Sequence, residues 1–119
     1  MLSPPGARIF FAGDTAYAPH FTEVRSRLGS IDLALLPIGA YEPRWFMRYQ
    51  HMNPADAVQA MLDLRARSMV AIHWGTFDLT DEPLDLPPQA LHEAVAAAGE
   101  DPERFRVLAI GETWHVPAP

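Results

Sequence analysis

Ala7-Arg8-Ile9-Phe10-Phe11-Ala12-Gly13-Asp14-Thr15 is a short apolar run that stops at Gly-Asp-Thr. It is aromatic and β-branched, too short for a helix, and closed by a glycine that frees the backbone to turn, so it reads as a buried strand. Such a strand delivers one carboxylate, Asp14, to the mouth of a sheet. The same pattern returns at Ser68-Met69-Val70-Ala71-Ile72-His73-Trp74-Gly75-Thr76, where a second buried strand ends in one imidazole, His73, and a glycine again follows. Two strands whose outgoing ends present an aspartate and a histidine suit a metal-site loop on a sheet.

Outward from these strands the chain alternates. Ala18 to Leu28 predicts an amphipathic helix, with Phe21, Val24 and Leu28 at helical spacing, Pro19 in the first turn and Gly29 as the stop. Ile31 to Ile38 is a continuous apolar strand, a character that asks for cover on both faces. Asn53-Pro54-Ala55-Asp56 starts a helix: Asn53 caps, Pro54 takes the first position and Asp56 reaches back to the cap. That helix runs to about Arg67, with Ala55, Val58, Met61 and Leu62 as its inner stripe. The acidic, proline-punctuated segment Phe77 to Leu86 reads as a solvated loop, since its carboxylates lack the spacing and turn glycine of a calcium loop. Pro87-Pro88 open a further helix with Leu91, Ala94, Val95 and Ala98 inward and Gly99 at its end. Arg106 to Ile110 predicts a fourth strand and Thr113 to Val116 a short last one. The fold class is α/β in one layer pair, over a single domain spanning residues 1–119.

The composition narrows the chemistry. The 119 residues suffice for one domain, and nearly half are hydrophobic, as in a globular chain. A formal charge of −6 argues against nucleic acid and against electrostatic docking on anionic lipid. With no cysteine, disulfides, thiolate nucleophiles and Cys-ligated zinc are excluded, and any metal must be held by His and carboxylate. No apolar stretch reaches membrane-spanning length and no export signal opens the chain, so a cytoplasmic location is expected.

The candidate residues carry two readings each. Asp14 ends a strand as a ligand would, yet Gly-Asp-Thr also makes an Asx turn unaided. His73 is a candidate ligand, yet a lone histidine on an apolar strand also serves as a core residue. His51, beside a helix cap, is a third candidate or a simple partner for a backbone carbonyl. Tyr41 to Met52 gathers Tyr41, Trp45, Phe46 and Tyr49 among Arg44, Arg48 and His51. It is either an ordered loop closing the core edge or a substrate-facing loop, with aromatics for apolar contact and arginines for an anion.

Four stretches in order resemble one branch of the metallo-β-lactamase superfamily: Phe10 to Thr15; Leu36 to Met47, with its AYEPRWFM; Tyr49-Gln50-His51; and Ala71 to Phe77, with its HWGTF. The branch contains N-acyl-phosphatidylethanolamine-hydrolysing phospholipase D. The resemblance covers nearly the whole chain. It implies a two-zinc site in which Asp14 is the bridging ligand and His73 completes the second zinc. His51 then lies on the substrate side, for phosphate contact or proton transfer, and Tyr41, Arg44 and Trp45 line the substrate. Two zinc ions roughly 3.5–4 Å apart would share a hydroxide that attacks a phosphodiester in line. Trp45-Phe46-Met47 between Arg44 and Arg48 suits peripheral contact with a phospholipid interface.

The sequence also departs from that superfamily. Its His-x-His-x-Asp-His tract has no counterpart, since no two histidines here are separated by a single residue. The chain corresponds to the second half of the superfamily's αββα sandwich: one mostly buried sheet with helices on one face. Three expectations follow: a longer native chain that supplies the N-terminal half, a separate subunit that supplies it, or a homodimer stacking sheet on sheet. The function expected is a zinc-dependent phosphodiester hydrolase of phospholipase D type, active once the missing half is supplied. The alternatives are a lactonase of the same superfamily and a non-catalytic, self-associating module.

Overall fold

The computed structural model describes residues 6–48, 51–75, 82–83 and 85–116, without the side chain of Phe46. Four parallel strands lie side by side in chain order: β1 (Ile9–Phe11), β2 (Leu33–Pro37), β3 (Ser68–Ile72) and β4 (Phe105–Arg106). Helix α1 (His20–Leu28) connects β1 to β2, α2 (Arg44–Met47) and α3 (Pro54–Leu64) connect β2 to β3, and α4 (Leu86–Ala97) precedes a 3-10 turn and β4. When parallel strands follow one another in a single direction, right-handed crossovers put every helix on the same face. Helix α3 accordingly packs between α1 and α4 and over β2. This is the α/β architecture, one sheet with helices on one face, that the sequence predicts.

The alternation of strand side chains explains the two faces. Ala34 and Leu36 of β2, Met69 and Ala71 of β3 and Phe105 of β4 enter the helix-side core with Phe21, Val58, Met61, Leu64, Leu91 and Val95. Each large member of that cluster contributes about 1.5–3 kcal/mol by leaving water. Their neighbours in sequence point the other way, and there Phe11 is 58% exposed.

The α3 start is as expected. The Asn53 side chain accepts from the Asp56 N–H at 2.8 Å, while Asp56 accepts from the Asn53 N–H, and Pro54 opens the helix. The inner stripe is rotated from the expected one: Ala57, Val58, Ala60, Met61 and Leu64 are buried while Ala55 is exposed. The cause is that α3 is the central helix and must fill two grooves, so its buried arc is wide and centred on Ala57 and Ala60. Leu28, expected inward, is 41% exposed at the end of α1.

The C-terminal strands are corrected. The fourth strand is only Phe105–Arg106, and Thr113 to Val116 form no strand. Beyond β4 the chain closes a turn, with the Glu112 N–H donating to Ala109 at 2.9 Å and the Ala109 N–H donating to the Glu112 carboxylate at 2.8 Å. Those donors are lost to a ladder, Gly111 takes φ 83°, and Ile110 stands fully exposed. Helix α2 is a single turn that the aperiodic composition of residues 41–52 does not announce.

Candidate metal centre

In a parallel sheet, loops that leave the carboxyl ends of the strands share one edge, and ligand sites collect there. Asp14 follows β1, Gly39 to Tyr41 follow β2, and His73 follows β3. Backbone hydrogen bonds keep these exits in register past the strands, from the Ala12 N–H to Leu35 and from the Ile38 N–H to Ile72, each at 3.1 Å. The result is a convergence of side chains 59 positions apart in sequence: His73 Nε2 lies 3.3 Å from Asp14 Oδ1.

His73 is tightly held. It adopts φ 62°, a left-handed conformation unusual outside glycine, which aims its ring back across the sheet edge. Its Nδ1 lies 3.3 Å from the Gly39 carbonyl, which can only accept, so the neutral tautomer that bonds Gly39 carries its proton on Nδ1 and turns Nε2 toward Asp14. Gly39 is where it is for space: a Cβ there would meet the His73 carbonyl oxygen at 2.1 Å. Asp14 is largely exposed, on a loop whose Tyr17 hydroxyl donates to Asp63 of α3. That bond, more than burial, pushes the Tyr17 phenol up to about 12.

The His51 ring stacks on His73, with centroids 5.2 Å apart and planes 17° from parallel. Its Nδ1 is buried with no hydrogen-bond partner among the described residues. Burial first, and then the neighbouring His73 ring, hold the His51 imidazole below its ordinary range, against an opposite pull from Asp14 and Glu82. Arg44 fixes the His51 backbone: its guanidinium pairs with Asp56 at 2.6 Å and donates to the His51 carbonyl at 3.1 Å. Arg44 thus ties the loop to the start of α3. Tyr41 is buried, its hydroxyl has no partner among the described residues, and burial followed by the charges of Glu82 and Glu42 raises its phenol. Trp45 stands out from the loop at 76% exposure.

The structure therefore brings Asp14, His73 and His51 together, with Arg44 on the His51 carbonyl and Tyr41 and Trp45 on the same connection between β2 and α3. Tyr49, Gln50 and Thr76, and residues 77–81 and 84 of the acidic segment, lie outside the described residues. One part of that segment is corrected: Glu82, expected in a solvated loop, is 8% exposed and its carboxylate accepts the backbone N–H groups of Ala40, Tyr41 and Glu42. Neither Glu82 nor the close approach at Gly39 carries a local signal, since both depend on what a loop distant in sequence supplies.

A metal ion fits part of this constellation. A nitrogen and a carboxylate oxygen 3.3 Å apart match the edge of a tetrahedron whose ligands lie at about 2.0–2.1 Å from the ion. An imidazole nitrogen facing an anionic oxygen calls for a cation between them, whether a proton or a metal. The set is incomplete: among the described residues no group of three or more ligating side chains is arranged to hold a metal ion.

Comparison with known proteins shows the family. Residues 1–74 match the family described as the β-lactamase superfamily domain. The chain is 40% identical over 110 residues to N-acyl-phosphatidylethanolamine-hydrolyzing phospholipase D 1 of Caenorhabditis elegans, covering 90% of this chain and 31% of that protein. It is 38% identical over 107 residues to the mitochondrial enzyme of that name from Saccharomyces cerevisiae, covering 88% of this chain and 23% of that one. A UPF0173 metal-dependent hydrolase of Nitratidesulfovibrio vulgaris is 40% identical over 79 residues, covering 66% of this chain and 29% of the relative. The chain thus spans less than a third of the length of each of these three relatives. It belongs to the metallo-β-lactamase superfamily, in the branch of the N-acyl-phosphatidylethanolamine-hydrolysing phospholipases D.

Proposed function

We propose that this chain contributes Asp14 and His73 to the zinc centre of a hydrolase acting on phosphodiesters of the phospholipid class. The observation that carries the proposal is the 3.3 Å approach of His73 Nε2 to Asp14 with Nδ1 already committed to the Gly39 carbonyl. That is the arrangement by which a ligating histidine is held in one tautomer. The phospholipase names of the relatives support the substrate class, and the metal-dependent hydrolase supports the need for a metal.

Zinc, when bound, would activate water and neutralise the phosphodiester. Asp14 supplies an anionic ligand, and His73 a neutral nitrogen whose direction is fixed by the loop after β2. His51, stacked on His73, would contact phosphate or pass a proton. Trp45 offers apolar area to an acyl chain or an interface, and Tyr41 and Arg44 stiffen the loop between them. The remaining ligands come from a complementary half, carried by a longer chain or by a second subunit, which also covers the sheet face on which Phe11 is exposed. The proposal includes a cytoplasmic location with at most peripheral membrane contact; among the described residues no helix is long and apolar enough to cross a membrane.

Titration of the purified chain with zinc chloride, beside turnover of a phosphodiester and a phospholipid, tests this. The expected result is weak zinc binding that Asp14→Ala and His73→Ala each abolish, without turnover by the chain alone. Zinc binding that both substitutions leave unchanged, or turnover by the pure chain that survives Asp14→Ala, overturns the assignment.

A further inference from the structure

Among the described residues Glu82 is the single buried charged side chain, and it lies on a segment remote in sequence from the loop it serves. Its Oε2 accepts from the Ala40 N–H at 2.7 Å, and its Oε1 accepts from Tyr41 at 3.1 Å and Glu42 at 2.8 Å. Three successive backbone donors turn toward one carboxylate, in the manner of an anion cradle. The turn requires Ala40 to sit at φ 65°, a conformation that an alanine does not choose unaided. Immediately before these donors comes Gly39, whose carbonyl faces His73 Nδ1 at 3.3 Å and whose α-carbon packs against the His73 carbonyl. A carboxylate holding the loop therefore also fixes the position of the acceptor that orients the histidine.

We infer that Glu82 is a positioning residue for His73: by collecting the N–H groups of residues 40–42 it holds the Gly39 carbonyl where it keeps the His73 proton on Nδ1 and leaves Nε2 open toward Asp14. The inference rests on the reading of Asp14 and His73 as metal ligands. Glu82 acts on His73 through the loop. A carboxamide in its place keeps the shape but turns an NH2 group toward at least one of the three donors. The loop then loses its anchor at Ala40 or at Tyr41 and Glu42.

The test compares the full chain with Glu82→Gln and with Glu93→Gln, an exposed control on α4. The 15N shifts of the His73 ring, read at alkaline pH where the ring is neutral, report the tautomer. Titration with Co2+ alone reports the affinity of the site. Expected for Glu82→Gln is a shift of His73 toward a mixture of tautomers and a roughly 10–100-fold weaker Co2+ affinity, the range for residues that orient a ligating histidine. Glu93→Gln leaves both unchanged. A folded Glu82→Gln protein with the tautomer and affinity of the unaltered chain overturns the inference, because a purely structural role would move only the melting temperature. Hydrogen exchange on the unaltered chain gives a reading that needs no variant. The amides of residues 40, 41 and 42 are expected to exchange slowly, and exchange as fast as in an open loop overturns the inference as well. Asp14→Ala separates the two claims: retained Co2+ affinity there refutes the metal-centre reading, while the His73 tautomer still judges Glu82.

Discussion

Gly39→Ala is the sharpest single perturbation of the site's frame. The added Cβ would lie 2.1 Å from the His73 carbonyl oxygen, with the His73 carbonyl carbon and the Trp74 α-carbon each at 3.2 Å. Ordinary contact begins near 3.4 Å, so the two loops must part by more than 1 Å. All three obstructing atoms are backbone, so no side chain can rotate away. Overpacking relieved by backbone movement costs about 1–3 kcal/mol and sometimes more, and this site belongs at the upper end. For a domain of this size, a loss of about 3 kcal/mol lowers the melting temperature by about 10–15 °C. Gly99→Ala is the control: unlike Gly39 it has a positive φ, 70°, and nothing lies within 4 Å of its Cβ. It should cost about 1–2 kcal/mol, the left-handed penalty alone. Urea unfolding of the two variants beside the unaltered chain decides the matter. If Gly39→Ala costs no more than Gly99→Ala, the close approach of the loops after β2 and β3 is wrong, and with it the fixed placement of His73.

Other outcomes follow from the same contacts. Asn53→Ala removes one side of the capping box of α3 and should cost about 1 kcal/mol in chemical unfolding, whereas an effect within error would mean the cap is not formed. His51, held below its ordinary value of 6.5, stays neutral to a lower pH in the folded chain than in the unfolded one. The unfolded state then binds more protons, so stability is expected to fall as pH drops below about 6.5, and His51→Gln should flatten that slope in urea titrations at pH 7.5 and 5.5. Tyr17 works at the other extreme: its phenol is raised from 10.0 to about 12, so the unfolded chain loses its proton first and stability falls as pH rises through that window. Tyr17→Phe should lose less stability there than the unaltered chain; an equal loss would show that the bond to Asp63 is absent.

The sheet and its helices were legible because hydrophobic periodicity and caps are local. The run Ile9-Phe10-Phe11, the apolar Leu33–Pro37 and the Asn53-Pro54-Ala55-Asp56 cap each announce an element within a few residues. The convergence of Asp14 and His73 was legible for a related reason: each follows the end of a strand, and parallel order alone brings such ends to one edge. What failed depended on neighbours. Arg106 to Ile110 has strand composition, yet it lies at the sheet edge, and Glu112 draws the Ala109 N–H out of any ladder. Glu82 looks like any member of an acidic loop until the N–H groups of Ala40, Tyr41 and Glu42 are placed around it. The bonds of Arg44 to Asp56 and to the His51 carbonyl are likewise unannounced by the residues beside it. In each case the deciding partner is supplied by tertiary structure, which no window of sequence reports.

The most direct measurement is anomalous diffraction at the zinc edge from crystals of this chain grown with zinc. The account predicts a peak about 2.0–2.2 Å from both His73 Nε2 and an Asp14 carboxylate oxygen, with the His73 Nδ1 hydrogen bond to Gly39 intact. A peak bound to other residues, or density showing His73 and Asp14 joined by their hydrogen bond alone at saturating zinc, would contradict it.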